Sequence, residues 1–198
     1  MNAYLSQFLA TVHQEYFPEF PLWSLEDGRV VGEFIKIRLE SHFLAASDEH
    51  GQWLGRVAGL NAIAPGGENI GSEAMARLTR VSETPVVLDR FIRCLHLLNY
   101  LREEHAEGRL ILPLSTALLE RVNQDHGRVF RQILQRLDLP TSSVGFLLPQ
   151  ALSGQHERLA LLQRNYANHG FATFMALDQQ YGEALLLRRL AQPLSPVQ

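Results

Sequence analysis

Residues 171–182 contain the side chain that best fits a part in catalysis. Small and apolar residues lead to a single acid, Asp178, and Gln-Gln-Tyr-Gly follows it. A buried parallel strand delivers a carboxylate in this way to the carboxyl end of an α/β barrel, where such folds carry their chemistry. The Leu/Arg pattern of residues 183–190 predicts the helix that follows a barrel strand. Whether other polar side chains lie beside Asp178 at that end of the barrel therefore decides whether the chain can be an enzyme.

Other residues with reactive side chains occur in patterns that favour structural roles. His105 lies among glutamates at the predicted end of a helix, a pattern typical of a solvated terminus, and His156-Glu157 lacks the helical spacing of a zinc site. Ser115 has no Gly-x-Ser-x-Gly setting, and Cys94 falls on an apolar helix face. We therefore expect no catalytic residue, no metal site and no cofactor among these side chains.

The composition is that of an ordinary soluble domain. The chain has 198 residues, of which 46% are apolar and 20% charged, enough for one domain with a real core. A net charge of −3 gives no reason to expect binding to nucleic acid or to an anionic membrane. A single cysteine, the lack of a signal-peptide pattern and the lack of a long apolar run predict a cytoplasmic protein without a membrane segment.

The first third of the chain predicts a short helix and an antiparallel hairpin. Residues 28–47 and 52–63 have the composition of two strands, joined by a turn at residues 48–51. Residues 2–17 have the apolar spacing of an amphipathic helix, which either covers an end of the fold or contacts a partner protein. The side chains expected to make such partner contacts are Leu5, Phe8, Leu9 and Val12.

From residue 72 onward, predicted helices and strands alternate with short connections. The predicted helices cover residues 72–82, 87–107, 116–137 and 156–169, and the predicted strands begin at residues 109, 144 and 171. Such alternation indicates a parallel sheet or barrel. An antiparallel first pair followed by β/α repeats is an unusual combination, and it narrows the choice of fold.

Three segments, in the right order and spacing, resemble the EAL family of cyclic-di-GMP phosphodiesterases. Residues 74–91 resemble the family's FIPLAEETGLIVPLDRW segment. Residues 129–144 are similar to the helix and Leu-Pro loop before its LEIT strand. Residues 168–178, with Tyr181-Gly182, resemble its G-(apolar)-ALDDFG segment.

The resemblance runs from about residue 38 to the C-terminus and implies the fold class. EAL domains are TIM-like barrels with one antiparallel strand. We therefore expect a single α/β domain, in which an N-terminal helix and strand extension (residues 1–37) precedes an incomplete TIM-like barrel of EAL type (residues 38–198).

The same resemblance implies that the family's metal site is lost. In the family, carboxylates and an amide at successive strand ends bind two divalent cations that activate water. Residues 44–46 (Leu-Ala-Ala) stand where the family has the QPI tripeptide of its nucleotide site, and Asp178 is a vestigial ligand. The remaining ligand positions are occupied by Val57, Pro113, Leu147 and Gln179.

These losses predict an inactive regulator rather than an enzyme. The resemblance implies a role in bacterial signalling, motility or gene regulation through contact with a regulator, a motility component or a second copy of the chain. The sequence ends where about three β/α units would follow, so we also expect an open barrel edge that supports a homodimer. The alternative is a receptor that binds cyclic-di-GMP without hydrolysing it, although the lost QPI tripeptide makes nucleotide binding doubtful.

Overall fold

The computed structural model describes residues 3–102, 108–121, 127–181 and 183–191. The helices are α1 (Ala3–Phe8), α2 (Gln14–Tyr16), α3 (Ser72–Val81), α4 (Pro85–Tyr100), α5 (Thr116–Arg121), α6 (Arg128–Arg136) and α7 (His156–Asn168). The strands are β1 (Leu22–Ser24), β2 (Val30–Phe34), β3 (Ile37–Ser47), β4 (Trp53–Ile63), β5 (Asn69–Ile70), β6 (Arg109–Pro113), β7 (Val144–Leu147), β8 (Ala172–Tyr181) and β9 (Ala184–Arg189). None of the described helices is both long and apolar enough to cross a membrane.

Six of the strands are linked into a ring. β3 pairs antiparallel with β4, and β4, β6, β7 and β8 follow as parallel neighbours. β9 then pairs antiparallel with β8 and parallel with β3. β1 and β2 extend the sheet beyond β3, and β5 extends it beyond β4. The predicted α/β class and the incomplete TIM-like barrel with an antiparallel first strand are confirmed.

Strand β9 replaces the helix predicted for residues 183–190, and that prediction was wrong. Leu187 lies opposite Ala176 of β8, and Leu185 lies opposite Ala46 of β3. A short run of leucines fits a buried strand as well as a helix, and here pairing on both sides selects the strand. β9 thus occupies the edge of β8 that was expected to be open, and the homodimer stays a prediction.

Two other predicted elements are interrupted by left-handed backbone. Residues 28–47 form two strands rather than one, because Ile35 and Lys36 have φ angles of 49° and 61° and make a tight turn. The single helix predicted for residues 116–137 is broken at Gly127, whose φ of 96° no helix interior adopts. The predicted C-terminal end of α4 lies outside the described residues.

The N-terminal segment is helical as predicted, with a π-helical turn at Leu9–His13, but it is buried in its own chain. Leu5, Phe8 and Val12 are 2%, 0% and 0% exposed, and Leu9 packs partly buried beside them. The Phe8 ring contacts Phe17, which in turn contacts Phe91 of α4. These contacts correct the expectation that the four apolar side chains meet a partner protein, because the domain core already covers them.

The barrel interior is filled by apolar side chains. Five ring strands each contribute one of them: Ala46, Val57, Ile111, Phe174 and Leu187. The remaining strand, β7, contributes Gly145, where a Cβ atom would lie 2.5 Å from Cε2 of Phe174. Glycine at position 145 therefore makes the room that the Phe174 ring occupies. A larger core lies between the outer face of the sheet and the helices.

We predict that Gly145→Ala lowers the free energy of unfolding by about 1–3 kcal/mol, because the new methyl group overpacks the barrel. Urea denaturation measures this loss, and Gly154→Ala is the matched control because nothing lies within 4 Å of its added Cβ. Adding Phe174→Leu to Gly145→Ala should restore part of the stability. Equal unfolding free energies for Gly145→Ala and the unchanged protein would contradict this packing.

Candidate functional site

The carboxyl ends of the parallel strands meet at one end of the barrel, which is where barrels of this type carry their sites. Val57 of β4 lies opposite Ile111 of β6, and Pro113 of β6 lies opposite Leu147 of β7. Leu147 in turn lies opposite Phe174 of β8. The structure therefore brings together three of the predicted ligand positions, on neighbouring strands of one barrel end.

The side chains at these three positions do not fit a divalent cation. Val57 is 4% exposed and belongs to the apolar cluster inside the barrel, and Leu147 packs against that cluster. Pro113 is exposed, and its ring carries no ligand atom. Mg²⁺ and Mn²⁺ require several oxygen ligands, and none of these three side chains supplies one. No group of three or more metal-ligating side chains occurs among the described residues.

Asp178 and Gln179 lie on β8, but their side chains are outside the described part of the structure. The interpretation of Asp178 as a vestigial ligand, and of Gln179 as a replaced one, therefore stays a prediction. On the backbone, Asp178 is four residues beyond Phe174 along β8.

Leu44 adds a further apolar side chain to this barrel end. It lies directly opposite Val57 across the β3–β4 pair, and residues opposite each other share a face of the sheet. Its side chain is 44% exposed, whereas Ala46, two residues further along β3, is fully buried in the barrel. We call Leu44, Pro113 and Leu147 the barrel mouth. It offers apolar contact where a metal-dependent site would offer oxygen ligands.

A second group of residues was missed by the sequence analysis, which considered only the apolar face of the predicted helix after residue 87. Four polar residues lie along α4 at positions i, i+4, i+7 and i+10, with exposed fractions between 3% and 6%: Asp89, Arg93, His96 and Asn99. This spacing puts them on one face of the helix. The sequence does contain one sign of this stripe, an acid and a base four residues apart. Such pairs also occur on exposed helix faces, so the spacing alone does not reveal that the pair is buried.

The first two members of this stripe form a buried ion pair. Asp89 Oδ2 lies 2.5 Å from Arg93 Nη2, and both side chains are 5–7% exposed. The guanidinium carbon of Arg93 also lies 5.6 Å from the ring centroids of Phe130 and Phe146, within the range of cation–π contact. The pair thereby holds α4 against α6 and β7.

The other two members join α4 to the sheet. Asn99 accepts a hydrogen bond from the Val30 amide at 2.9 Å and donates one to the Val30 carbonyl at 2.7 Å. Nδ1 of His96 lies 2.8 Å from the Ser41 hydroxyl oxygen on β3. These bonds replace the hydrogen bonds with water that the buried polar groups lose on folding. The stripe therefore fixes the helix relative to β2 and β3.

Burial sets the protonation of two groups on α4. It lowers the pKa of His96 to about 3, with a further lowering from His42 nearby, so the imidazole is neutral in the folded protein. It raises the pKa of Cys94 to about 12, so the thiol remains protonated and a poor nucleophile. At neutral pH both side chains are therefore uncharged members of the core.

The His96 pKa predicts how stability depends on pH. Because the unfolded imidazole takes up a proton near pH 6.5 and the folded one only near pH 3, its contribution is complete above pH 6.5 and is lost as the pH falls toward 3. The whole contribution is roughly 4–5 kcal/mol at most. Urea denaturation from pH 7 to pH 4 should show a smaller decline for His96→Gln than for the unchanged protein, with His50→Gln as the exposed-histidine control. Identical declines for all three proteins would rule out this role for His96.

Comparison with solved structures finds chains of similar fold. One is the crystal structure of the FimX EAL domain, with a TM-score of 0.53 and 16% identity over 93% of this chain and 68% of that one. Another is the FimX EAL domain from Pseudomonas aeruginosa bound to c-di-GMP, with a TM-score of 0.52 and 13% identity over 93% of this chain and 69% of that one. A scan against protein-family models finds no match, and a search of curated proteins finds none. Identities this low establish the fold alone, and the fold is EAL-like.

Proposed function

We propose that this protein is a catalytically inactive EAL-like regulator that works in the bacterial cytoplasm, in cyclic-di-GMP signalling, by contact with another protein. The observation that carries the proposal is the burial of Val57. This residue stands where the resemblance places the signature glutamate, and it is part of the apolar cluster that fills the barrel.

The chemistry of a two-metal phosphodiesterase argues against activity. Such a site needs oxygen ligands from several strands to hold both cations beside the attacking and the leaving oxygen. Here valine, proline and leucine stand on three of those strands, and Val57 and Leu147 contribute to the packing of the barrel. A single remaining carboxylate at Asp178 would hold a divalent cation weakly.

The barrel mouth supports a role in protein contact. Leu44 and Pro113 are exposed and Leu147 is half-buried, so this end of the barrel presents apolar surface to solvent. Contiguous apolar surface exposed to solvent is typical of interaction sites. A bacterial regulator or a motility component is the class of partner that we propose.

We expect no hydrolysis of cyclic-di-GMP by the purified protein in the presence of Mn²⁺ or Mg²⁺, because the ligands for the metals are missing. Chromatographic detection of the linear dinucleotide measures this, with an active EAL phosphodiesterase as the positive control. Mn²⁺-dependent hydrolysis that disappears in Asp178→Ala would contradict the proposal.

We also expect that Leu44→Glu weakens capture of the native partner from a bacterial extract by about tenfold or more, equivalent to about 1.4 kcal/mol. A charge at the centre of an apolar contact must be desolvated without a partner. The matched control is Leu161→Glu on α7, because Leu161 and Leu44 are both 44% exposed. Equal capture by the two variants would show that the barrel mouth is not the contact.

A second candidate function is a receptor that binds cyclic-di-GMP without hydrolysing it. The observation that favours it is that one of the similar structures is an EAL domain bound to c-di-GMP. Calorimetry without metal separates the two functions, because micromolar binding supports a receptor and the absence of heat supports the regulator. If the protein is the proposed regulator, the Asp178→Ala variant should still capture the partner.

A further inference from the structure

The edge of β3 that faces away from β4 is open along its middle. At one end of this edge β2 is the neighbour of β3, and the last pair joins Gly32 to Leu39. At the other end β9 is the neighbour, and it pairs only with Ala46 and Ser47. Among the strands that the structure describes, none pairs with residues 41–45 on this side. We call residues 41–45 the open edge, which is about 17 Å long at 3.4 Å per residue.

The side chain of Asn99 separates β2 from β3 where the open edge begins. In the register of the β2–β3 pair, Val30 would lie opposite Ser41. Instead, the Asn99 side chain bonds both the amide and the carbonyl of Val30, at 2.9 and 2.7 Å. Its Nδ2 also lies 3.3 Å from the Ser41 hydroxyl oxygen. The amide group of Asn99 therefore stands between two strands that would otherwise continue to pair.

The backbone of the open edge directs hydrogen-bonding groups away from β4. A two-residue turn joins β2 to β3, so Phe34 and Ile37 form the first hydrogen-bonded pair. Such pairs alternate along an antiparallel ladder, so Leu39, Ser41 and Phe43 direct their backbone groups toward the side of β2. Past Leu39, no strand in the described part of the chain pairs with them there. The N–H and C=O groups of Phe43 are therefore placed to bond an added strand.

A cavity of about 200 Å³ lies beside the open edge, and its wall is basic. Among the described residues three guanidinium groups line it, those of Arg29, Arg56 and Arg102, and no carboxylate does. Two nearby carboxylates, those of Asp27 and Glu40, are bonded to Arg29, whereas the bond from Arg102 goes to a main-chain oxygen. The described part of this wall is therefore positive, although the net charge of the whole chain is −3. Such a wall attracts an acidic partner.

The open edge is continuous with the barrel mouth, because Leu44 belongs to both. Side chains of a strand alternate between the two faces of a sheet, so Leu44 lies on the inner face and Phe43 on the outer face, against Tyr100. Arg56 of β4 lies on the same outer face as Phe43. The side chains of an added strand would alternate in the same way, one beside Leu44 and the next on the side of Arg56. The open edge therefore favours a segment in which apolar and acidic residues alternate.

We propose that a partner protein adds a short, extended, acidic segment to the open edge of β3. Main-chain hydrogen bonds at Phe43 hold the segment, its acidic side chains lie toward Arg56 and Arg102, and its apolar side chains lie beside Leu44. A second copy of this chain would bring the same arginines together, so an acidic segment of another protein fits the edge better. This inference rests on the proposed function, because it states how the regulator binds its partner.

The test is the binding of a fluorescein-labelled peptide, Val-Glu-Val-Glu-Val, to the full chain, followed by fluorescence anisotropy. Binding should saturate, and the peptide Val-Lys-Val-Lys-Val should bind about tenfold more weakly or worse, because its charges are repelled. The glutamate peptide with N-methylated backbone amides keeps its charges but cannot donate to β3, so it should also bind about tenfold more weakly. Absence of saturable binding, or equal binding of the glutamate peptide and either of the other two, would overturn the proposal.

A charge reversal in the cavity wall tests the location of the peptide. Arg102→Glu should weaken binding of Val-Glu-Val-Glu-Val by about tenfold or more, because an exposed cation beside the open edge becomes an anion. Arg77→Glu is the matched control, since Arg77 is an exposed arginine on α3 outside this wall, and it should bind as well as the unchanged protein. Equal binding by the two variants would also overturn the proposal.

The outcome for the open edge can be told apart from the outcome for the proposed function. Hydrolysis of cyclic-di-GMP by a protein that binds the peptide as expected would refute the inactive regulator alone. A protein that neither hydrolyses cyclic-di-GMP nor binds the peptide would refute the open edge alone.

Discussion

The packing of the Phe174 ring inside a closed ring of six strands is the constraint on which the rest of the barrel depends. A ring of six strands is narrower than the eight-stranded barrel of the TIM fold, so it cannot hold a large side chain from every strand. Gly145 and Ala46 supply the small positions that offset Phe174, and Leu187 of β9 completes the layer. The small residues leave room for the Phe174 ring, and strand β9 supplies the last side chain of the layer. The interior is filled only when both are present.

This packing also makes an oxygen ligand at position 57 unfavourable. A glutamate at position 57 would have to lose its hydration inside an apolar cluster, whereas Val57 gains burial there. The polar groups that α4 buries have partners: Asp89 pairs with Arg93, and His96 and Asn99 bond to β2 and β3. The apolar packing that stabilises the barrel thus disfavours a charged side chain at position 57.

The sequence predicted the parts of the fold that depend on local periodicity. The β3–β4 hairpin, helix α7 and the strands beginning at residues 109 and 144 follow their patterns, and the resemblance placed Val57, Pro113 and Leu147 on neighbouring strands. Strand β9 was mistaken for a helix, because three leucines and two arginines fit both periods and only the unpaired edges of β3 and β8 select one. The polar stripe of α4 was missed for a similar reason, since an acid and a base four residues apart look the same on a buried face as on an exposed one.

Strand β4 lies between the barrel cluster and the outer core, and its side chains alternate between the two. Val57 points into the barrel cluster, whereas its neighbour Ala58 belongs to the outer core. Because successive side chains of a strand lie on opposite faces, a change of ligand residues on the inner face leaves the outer face unaltered. The inner face of β4 can therefore change at position 57 without a change in the packing of its outer face. On that outer side, the hydrogen bonds of His96 to Ser41 and of Asn99 to Val30 hold α4 in place, whichever side chain position 57 carries.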